Sequence, residues 1–188
     1  MGLLNQEELK DIGFKSIGNN VAISNKASFY GAERISIGNN VRIDDFCVLS
    51  AGKGGIEIGS FVHIAIYSSL IGAGKITISD YSNISSRVSI YSSTDDYSGA
   101  SMTNPTIPST FTNVQHADVV LDKHVIVGCG SVLLPGVHVA QGVAIGALSL
   151  IKRDCEAFFI YAGNPATKIK PRDRNLLVVE NNFLNSIK

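Results

Sequence analysis

The string SIGNNV occurs twice, at Ser16–Val21 and Ser36–Val41, and a finer period of six runs through it. Ile17, Ile23 and Phe29 lie six apart, as do Ile37, Ile43 and Leu49. The series continues with Ile58, Ile64 and Leu70, then Ile78, Ile84 and Ile90. After a break it resumes with Leu121, Val127, Leu133, Val139, Ile145 and Ile151. Four residues later there usually stands a small or aliphatic residue, such as Val41, Cys47, Val62, Ser68, Val125, Ser131 and Ser149. A helix turns about 600° in six residues, which scatters such positions over different faces. A hairpin sheet alternates with period two and shows turn pairs at intervals of about 8–12 residues. Period six fits a coil of three short strands and three corners, with about eighteen residues closing one triangular turn. Large aliphatics fill the axis and the smaller residue fits beside them. Gly18, Gly38, Gly59, Gly128 and Gly146 are expected to relieve corners at positive φ. A spacing of twenty is then eighteen plus a two-residue bulge near Glu33-Arg34.

Composition agrees with a β-rich chain of many corners. The 188 residues hold 18 Gly and no Trp, with 45% hydrophobic and 17% charged residues. Sixteen basic and sixteen acidic residues cancel, so nothing favours nucleic acid or an anionic membrane. The N-terminal MGLLNQEELKDIGF lacks the apolar run of a signal peptide. Met1-Gly2 hints at myristoylation, but position 6 is Gln where Ser or Thr is needed. No stretch reaches the ~18 apolar residues of a membrane span. Cys47, Cys129 and Cys155 show neither disulfide nor metal spacing. A cytoplasmic protein is expected.

Residues 1–15 are expected to cap the coil with a short helix, Asn5 as N-cap, Glu8 three later and Gly13 as stop. The solenoid spans 16–169, in about six triangular coils. Residues 91–118, YSSTDDYSGASMTNPTIPSTFTNVQHAD, break the register and contain Pro105 and Pro108. Solenoid stability needs neighbouring coils, not loops, so this excursion points to function. Residues 170–188 form a C-terminal helix or tail, with Leu176, Val179, Phe183 and Ile187 on one predicted helical face.

These repeats resemble the hexapeptide-repeat acyltransferases, over roughly Ser16 to Ile169. The resemblance implies an all-β solenoid, a left-handed parallel β-helix, and a homotrimer with active sites between subunits. YAGNPATKI resembles the AGxPAxxI segment that closes these proteins beside the adenine end of coenzyme A. STDDYSGASMTNPTIP and the following KHVIVGCGSVLLPGV resemble a subgroup associated with sugar acetylation. The implied activity moves an acetyl group from acetyl-CoA to a hydroxyl or amine of a sugar, nucleotide-linked or part of a bacterial surface polysaccharide such as O-antigen. No metal is implied. An amino-acid or antibiotic acceptor is the alternative, and a non-catalytic scaffold a further one. A zinc enzyme of this fold needs three converging His, and His116 and His124 are eight apart where five is typical.

Direct transfer needs a base, oxyanion donors and two substrates held together. His63 follows inward Val62 and so faces outward, in column with Arg42 one coil before and Asn83 one coil after. His116 is the only His of the long loop. His124 and His138 sit in regular corners and read as structural. Many sugar acetyltransferases of the family carry a catalytic His in this loop, where Asp95 and Asp96 stand here. The catalytic candidates are therefore His63, His116, Asp95 and Asp96. Asn83, Arg87, Tyr97, Ser98 and Asn104 are the acceptor-binding candidates. For the cofactor, the resemblance implies coil backbone at Gly130, Ser131, Ala147 and Ser149, and Lys152, Asn164, Pro165, Lys168 and Lys170 near the closing segment. Each of these also has an ordinary structural reading, as solvated loop, exposed corner or basic chain end.

Overall fold

The computed structural model describes residues 2–187; Met1, half of the Met1-Gly2 pair, and Lys188 lie outside them. The chain winds as a parallel solenoid of six full turns and a partial seventh. Its first face stacks Ser16–Ile17, Ile35–Ile37, Ile56–Ile58, Ile76–Ile78, Val119–Leu121 and His138–Val139. The second stacks Ala22–Ile23, Arg42–Ile43, His63–Ile64, Asn83–Ile84, Ile126–Val127, Ala144–Ile145 and Phe159–Gly163. The third stacks Ser28–Tyr30, Val48–Ala51, Ser69–Gly72, Ser89–Tyr91, Val132–Leu133 and Leu150–Ile151.

The aliphatics six apart meet on the axis. Ile23, Ile43, Ile64, Ile84 and Val127 form one fully buried column, and Leu49, Leu70, Ile90 and Leu133 another. The first face buries a second residue per strand, Ile35, Ile56, Ile76 and Val119, which the period of six does not show. The twenty-residue spacing has the expected origin. Gly31 turns at φ 68° and a short 3-10 segment, Ala32–Arg34, occupies the corner before the next strand.

The repeat glycines do a different job from the one expected. Gly18, Gly38, Gly59, Gly128 and Gly146 do not have positive φ. They are needed because coils stack on them: a Cβ on Gly38 would meet the backbone of Gly59 at 2.7 Å, and one on Gly18 that of Gly38 at 2.6 Å. The left-handed corner residues are mostly not glycine. Asn20, Asn40, Phe61, Tyr81, His124 and Phe158 all have φ between 54° and 63°. Stacking at coil spacing, about 4.8 Å, compensates for the conformational cost. Phe61 and Tyr81 lie 5.2 Å apart and nearly parallel, as do Tyr81 and His124 at 5.1 Å.

Helix α1, Gln6–Asp11, starts on a capping box: Asn5 Oδ1 accepts from the Glu7 and Glu8 N–H groups, and Glu8 accepts from the Asn5 N–H. Its Leu9 packs into the end of the core. At the other end the seventh turn folds back. Phe159–Gly163 pairs antiparallel with Ala166–Pro171, and the Asn164-Pro165 turn joins them. Helix α2, Leu176–Ser186, then lies along the corner column. Its docked face differs from the predicted one. Val179 and Ile187 face water, while Glu180 reaches His124 and Phe183 sits edge-on to Phe61 and Tyr81. The polar Glu180 directs the helix, which an apolar-period reading passes over. No helix among the described residues is long and apolar enough to cross a membrane.

Candidate active site

The long loop leaves the corner between the third and first faces. Its base is a two-residue antiparallel pair, Ser93 opposite His116 and Thr94 opposite Gln115. Ser93 Oγ accepts from the Ala73 N–H at 2.7 Å and lies 2.7 Å from His116 Nδ1. Either the Ser93 hydroxyl or a protonated Nδ1 donates in that contact, according to the ring's tautomer, and His116 Nε2 makes no hydrogen bond among the described residues.

Asp95 follows this base. Its carboxylate makes no hydrogen bond among the described residues. It lines a groove of about 370 Å³ with Tyr91, Ser93, Thr94, Tyr97, Val132, Leu134 and Pro135. A smaller hollow of about 150 Å³ adjoins Asp95, Asp96, Tyr97 and Thr103. Asp96 is occupied: its Oδ1 accepts from the Ser98 N–H at 2.8 Å, and these Ser98 bonds hold its carboxyl below the usual range. Two adjacent acids thus have different tasks, one fixing the loop and one open. Tyr97 is 93% exposed. Ser98 caps its own turn through Ala100, and Asn104 Oδ1 accepts from Thr106 N–H and hydroxyl.

The Arg42–His63–Asn83 column forms in register on the second face. Both ring nitrogens of His63 are engaged, Nε2 with Asp44 Oδ2 at 2.8 Å and Nδ1 with Asn83 Oδ1 at 3.1 Å. Arg42 Nε donates to the other Asp44 oxygen at 2.7 Å. Burial opposes the charge on Asp44, but the bonds from His63 and Arg42 outweigh it and lower its pKa. Asp44 went unremarked in the sequence, although it stands two after outward Arg42 and so shares its face. Arg87 is a left-handed corner residue whose guanidinium lies 5.7 Å over the Tyr67 ring. Within this chain His63, Asn83 and Arg87 are on the second face and its far corner, away from the loop base that carries His116 and Asp95.

The cofactor candidates fall into two groups. Ser131 and Ser149 are buried, and both hydroxyls donate to the Gly146 carbonyl. The Gly130 N–H donates to Ser86 and the Ser149 N–H to Ser131 Oγ, while no bond from the Ala147 N–H is found among the described residues. Lys152 and Pro165 line a cleft of about 290 Å³ with Arg153, Tyr161, Ala166 and Thr167, between the sixth turn and the closing hairpin. Asn164 is in the hairpin turn, Lys168 pairs with Glu156 at 2.6 Å, and Lys170 is exposed on the returning strand. Arg172 points inward instead. Its Nη1 donates to the carbonyls of His124, Gly142 and Val143 and clamps the hairpin to the coils.

A period-six prism with a long loop leaving it after the fourth turn is the architecture of the hexapeptide-repeat acyltransferases, and the chain belongs to that family, in its sugar-acyltransferase subgroup. No family model matches, but individual proteins do so closely. The chain is 60% identical over 183 residues to the dTDP-4-amino-4,6-dideoxy-D-glucose acyltransferase of Escherichia coli, covering 97% of this chain and 95% of that protein. It is 49% identical to the N-acyltransferase AntD of Bacillus cereus. An aspartate-to-asparagine variant of AntD, solved with dTDP and coenzyme A, superposes with a TM-score of 0.95 over 99% of this chain and all of that one. A serine-to-cysteine variant, solved with dTDP-4-amino-4,6-dideoxyglucose and coenzyme A, has a TM-score of 0.94 over 98% and 97%.

Proposed function

We propose that this enzyme transfers an acyl group, acetyl in the simplest case, from acyl-CoA to the 4-amino group of dTDP-4-amino-4,6-dideoxyglucose. The observation that carries the reading is the open carboxylate of Asp95 in a groove at the loop base. The relatives that bind this amino sugar, or bear its name, match nearly the whole chain.

An amine attacks a thioester as the free base, through its lone pair, and its nitrogen becomes positively charged on bonding and must shed a proton. Asp95 takes that proton as the N–C bond forms. The tetrahedral intermediate collapses, the C–S bond breaks, and the proton held by Asp95 passes to the departing sulfur, so coenzyme A leaves as the thiol. His63 has no free ring nitrogen, which favours Asp95 over it as base. The AntD variants replace an aspartate and a serine ten positions before it. Ser85 and Asp95 have that spacing, as do Ser86 and Asp96, but Asp96 is committed to its turn. Ser85 follows Asn83–Ile84 on the second face, away from Asp95 within one chain, so it joins the site only across a subunit interface, as a residue no motif singled out.

The nucleotide end of the cofactor fits the cleft at Lys152, Arg153 and Pro165, with Lys170 further along the returning strand. The enzyme works in the cytoplasm as a homotrimer, its exposed Phe46, Tyr67 and Leu148 covered by neighbouring subunits, and light scattering measures that state. A dTDP-sugar is an activated glycosyl donor, so the product suits assembly into a surface glycan such as O-antigen.

The test is incubation with acetyl-CoA and the amino sugar, following thiol release and amide mass. Equal release of thiol and amide supports the reading. Turnover only of amino acids, antibiotics or sugar hydroxyls overturns it.

A further inference from the structure

The groove beside Asp95 has one wall of a different character. Outward residues in register along the third face run Ser69, Ser89 and then Val132. The two serine hydroxyls bond each other at 3.2 Å. At Val132 that polar ladder ends, and Leu134 and Pro135 carry the change into the groove. These three side chains offer no hydrogen-bonding group, and Pro135 has no N–H. Elsewhere in the groove Ser93 is bound to Ala73 and His116, and Thr94 Oγ1 donates to the Asp95 carbonyl at 3.3 Å, which leaves the Tyr91 and Tyr97 hydroxyls and the Asp95 carboxylate as its open polar groups among the described residues.

Resting on the function proposed above, we infer that Val132, Leu134 and Pro135 seat the C6 methyl of the acceptor and select a 6-deoxy sugar over its 6-hydroxy counterpart. The C4 amine and the C6 methyl are separated by three bonds, which holds them roughly 3 Å apart. An amine within reach of Asp95 therefore brings the methyl into the same groove. A methyl against this wall leaves water at no polar cost. A hydroxyl there loses its water and finds no partner among the three side chains. Apolar walls that meet an added hydroxyl discriminate by about 10- to 100-fold.

The experiment compares kcat/KM for dTDP-4-amino-4,6-dideoxyglucose and dTDP-4-amino-4-deoxyglucose, in the native enzyme, Leu134→Ser and Val132→Thr. Val132→Thr keeps the side-chain shape and guards against Leu134→Ser failing to fold. Acetyl-CoA and butyryl-CoA are compared in parallel. The native enzyme should prefer the 6-deoxy sugar by about 10- to 100-fold. Each variant should lower that preference severalfold, with the acetyl-to-butyryl ratio unchanged. Equal use of both sugars by the native enzyme overturns the inference. So does a variant that shifts the acyl ratio and leaves the sugar ratio alone, because the wall would then face the acyl chain. Reaction with neither sugar overturns the function reading itself, and this inference with it.

Discussion

Glu180 Oε2 lies 2.7 Å from His124 Nε2, and the second oxygen of the same carboxylate receives Lys123 Nζ at 2.8 Å. One acid in helix α2 thus holds two residues of the fifth turn. Lys123 foremost, then His124, lower the Glu180 pKa below its usual 4.5. A depressed acid stabilises the fold above its unfolded pKa and loses that contribution as pH falls through the folded value. Helix docking should therefore weaken below about pH 4.5. Glu180→Gln should cost about 1–3 kcal/mol near neutral pH and flatten the acid limb of the melting curve. Thermal unfolding from pH 3 to 7 checks both.

With Asp96 committed to its turn, the other three base candidates separate by single substitutions. Asp95→Asn should lower kcat by about 10²–10⁴-fold with little change in KM for either substrate. His63→Ala and His116→Ala should each stay within about tenfold of native kcat, because one ring is engaged on both sides and the other sits on the loop base. Steady-state kinetics on all three variants decides. A collapse of kcat in His63→Ala with full activity in Asp95→Asn would reverse the assignment.

Two glycines should respond in the opposite order to that expected from φ alone. Gly13 has φ 75° but open space around a Cβ, whereas Gly38 has no positive φ and would meet Gly59 at 2.7 Å. Gly13→Ala should cost about 1 kcal/mol. Gly38→Ala should cost about 1–3 kcal/mol, because the coil beneath it cannot yield without moving its neighbours. Chemical denaturation of the two variants gives the order.

The three cysteines should differ in reactivity. Cys129 is exposed, while Cys47 and Cys155 are buried and their thiols are pushed up to about 11 by loss of solvent. A thiol-specific reagent at pH 8 should label one cysteine in the folded protein and three after denaturation. Rapid labelling of Cys47 or Cys155 in the native state would contradict their packing.

The sixfold recurrence from Ile17 to Ile151 determined the solenoid, because only a three-cornered coil brings every sixth side chain to one axis. The Asn5–Glu8 cap, the bulge at Glu33-Arg34, the outward His63 column and the break in register at the long loop were legible for the same reason: each depends on neighbours near in sequence or one coil away. Tertiary structure alone decided what depends on stacking distance. It turned the repeat glycines from flexible corners into contact points and put aromatic rings at positive φ. It rotated α2 onto Glu180 instead of Val179. It also tied Asp96 into a turn while leaving Asp95 open beside Val132 and Leu134. Adjacent acids look alike in a string, and what separates them is which hydrogen-bond donors the folded loop brings within 3 Å of each.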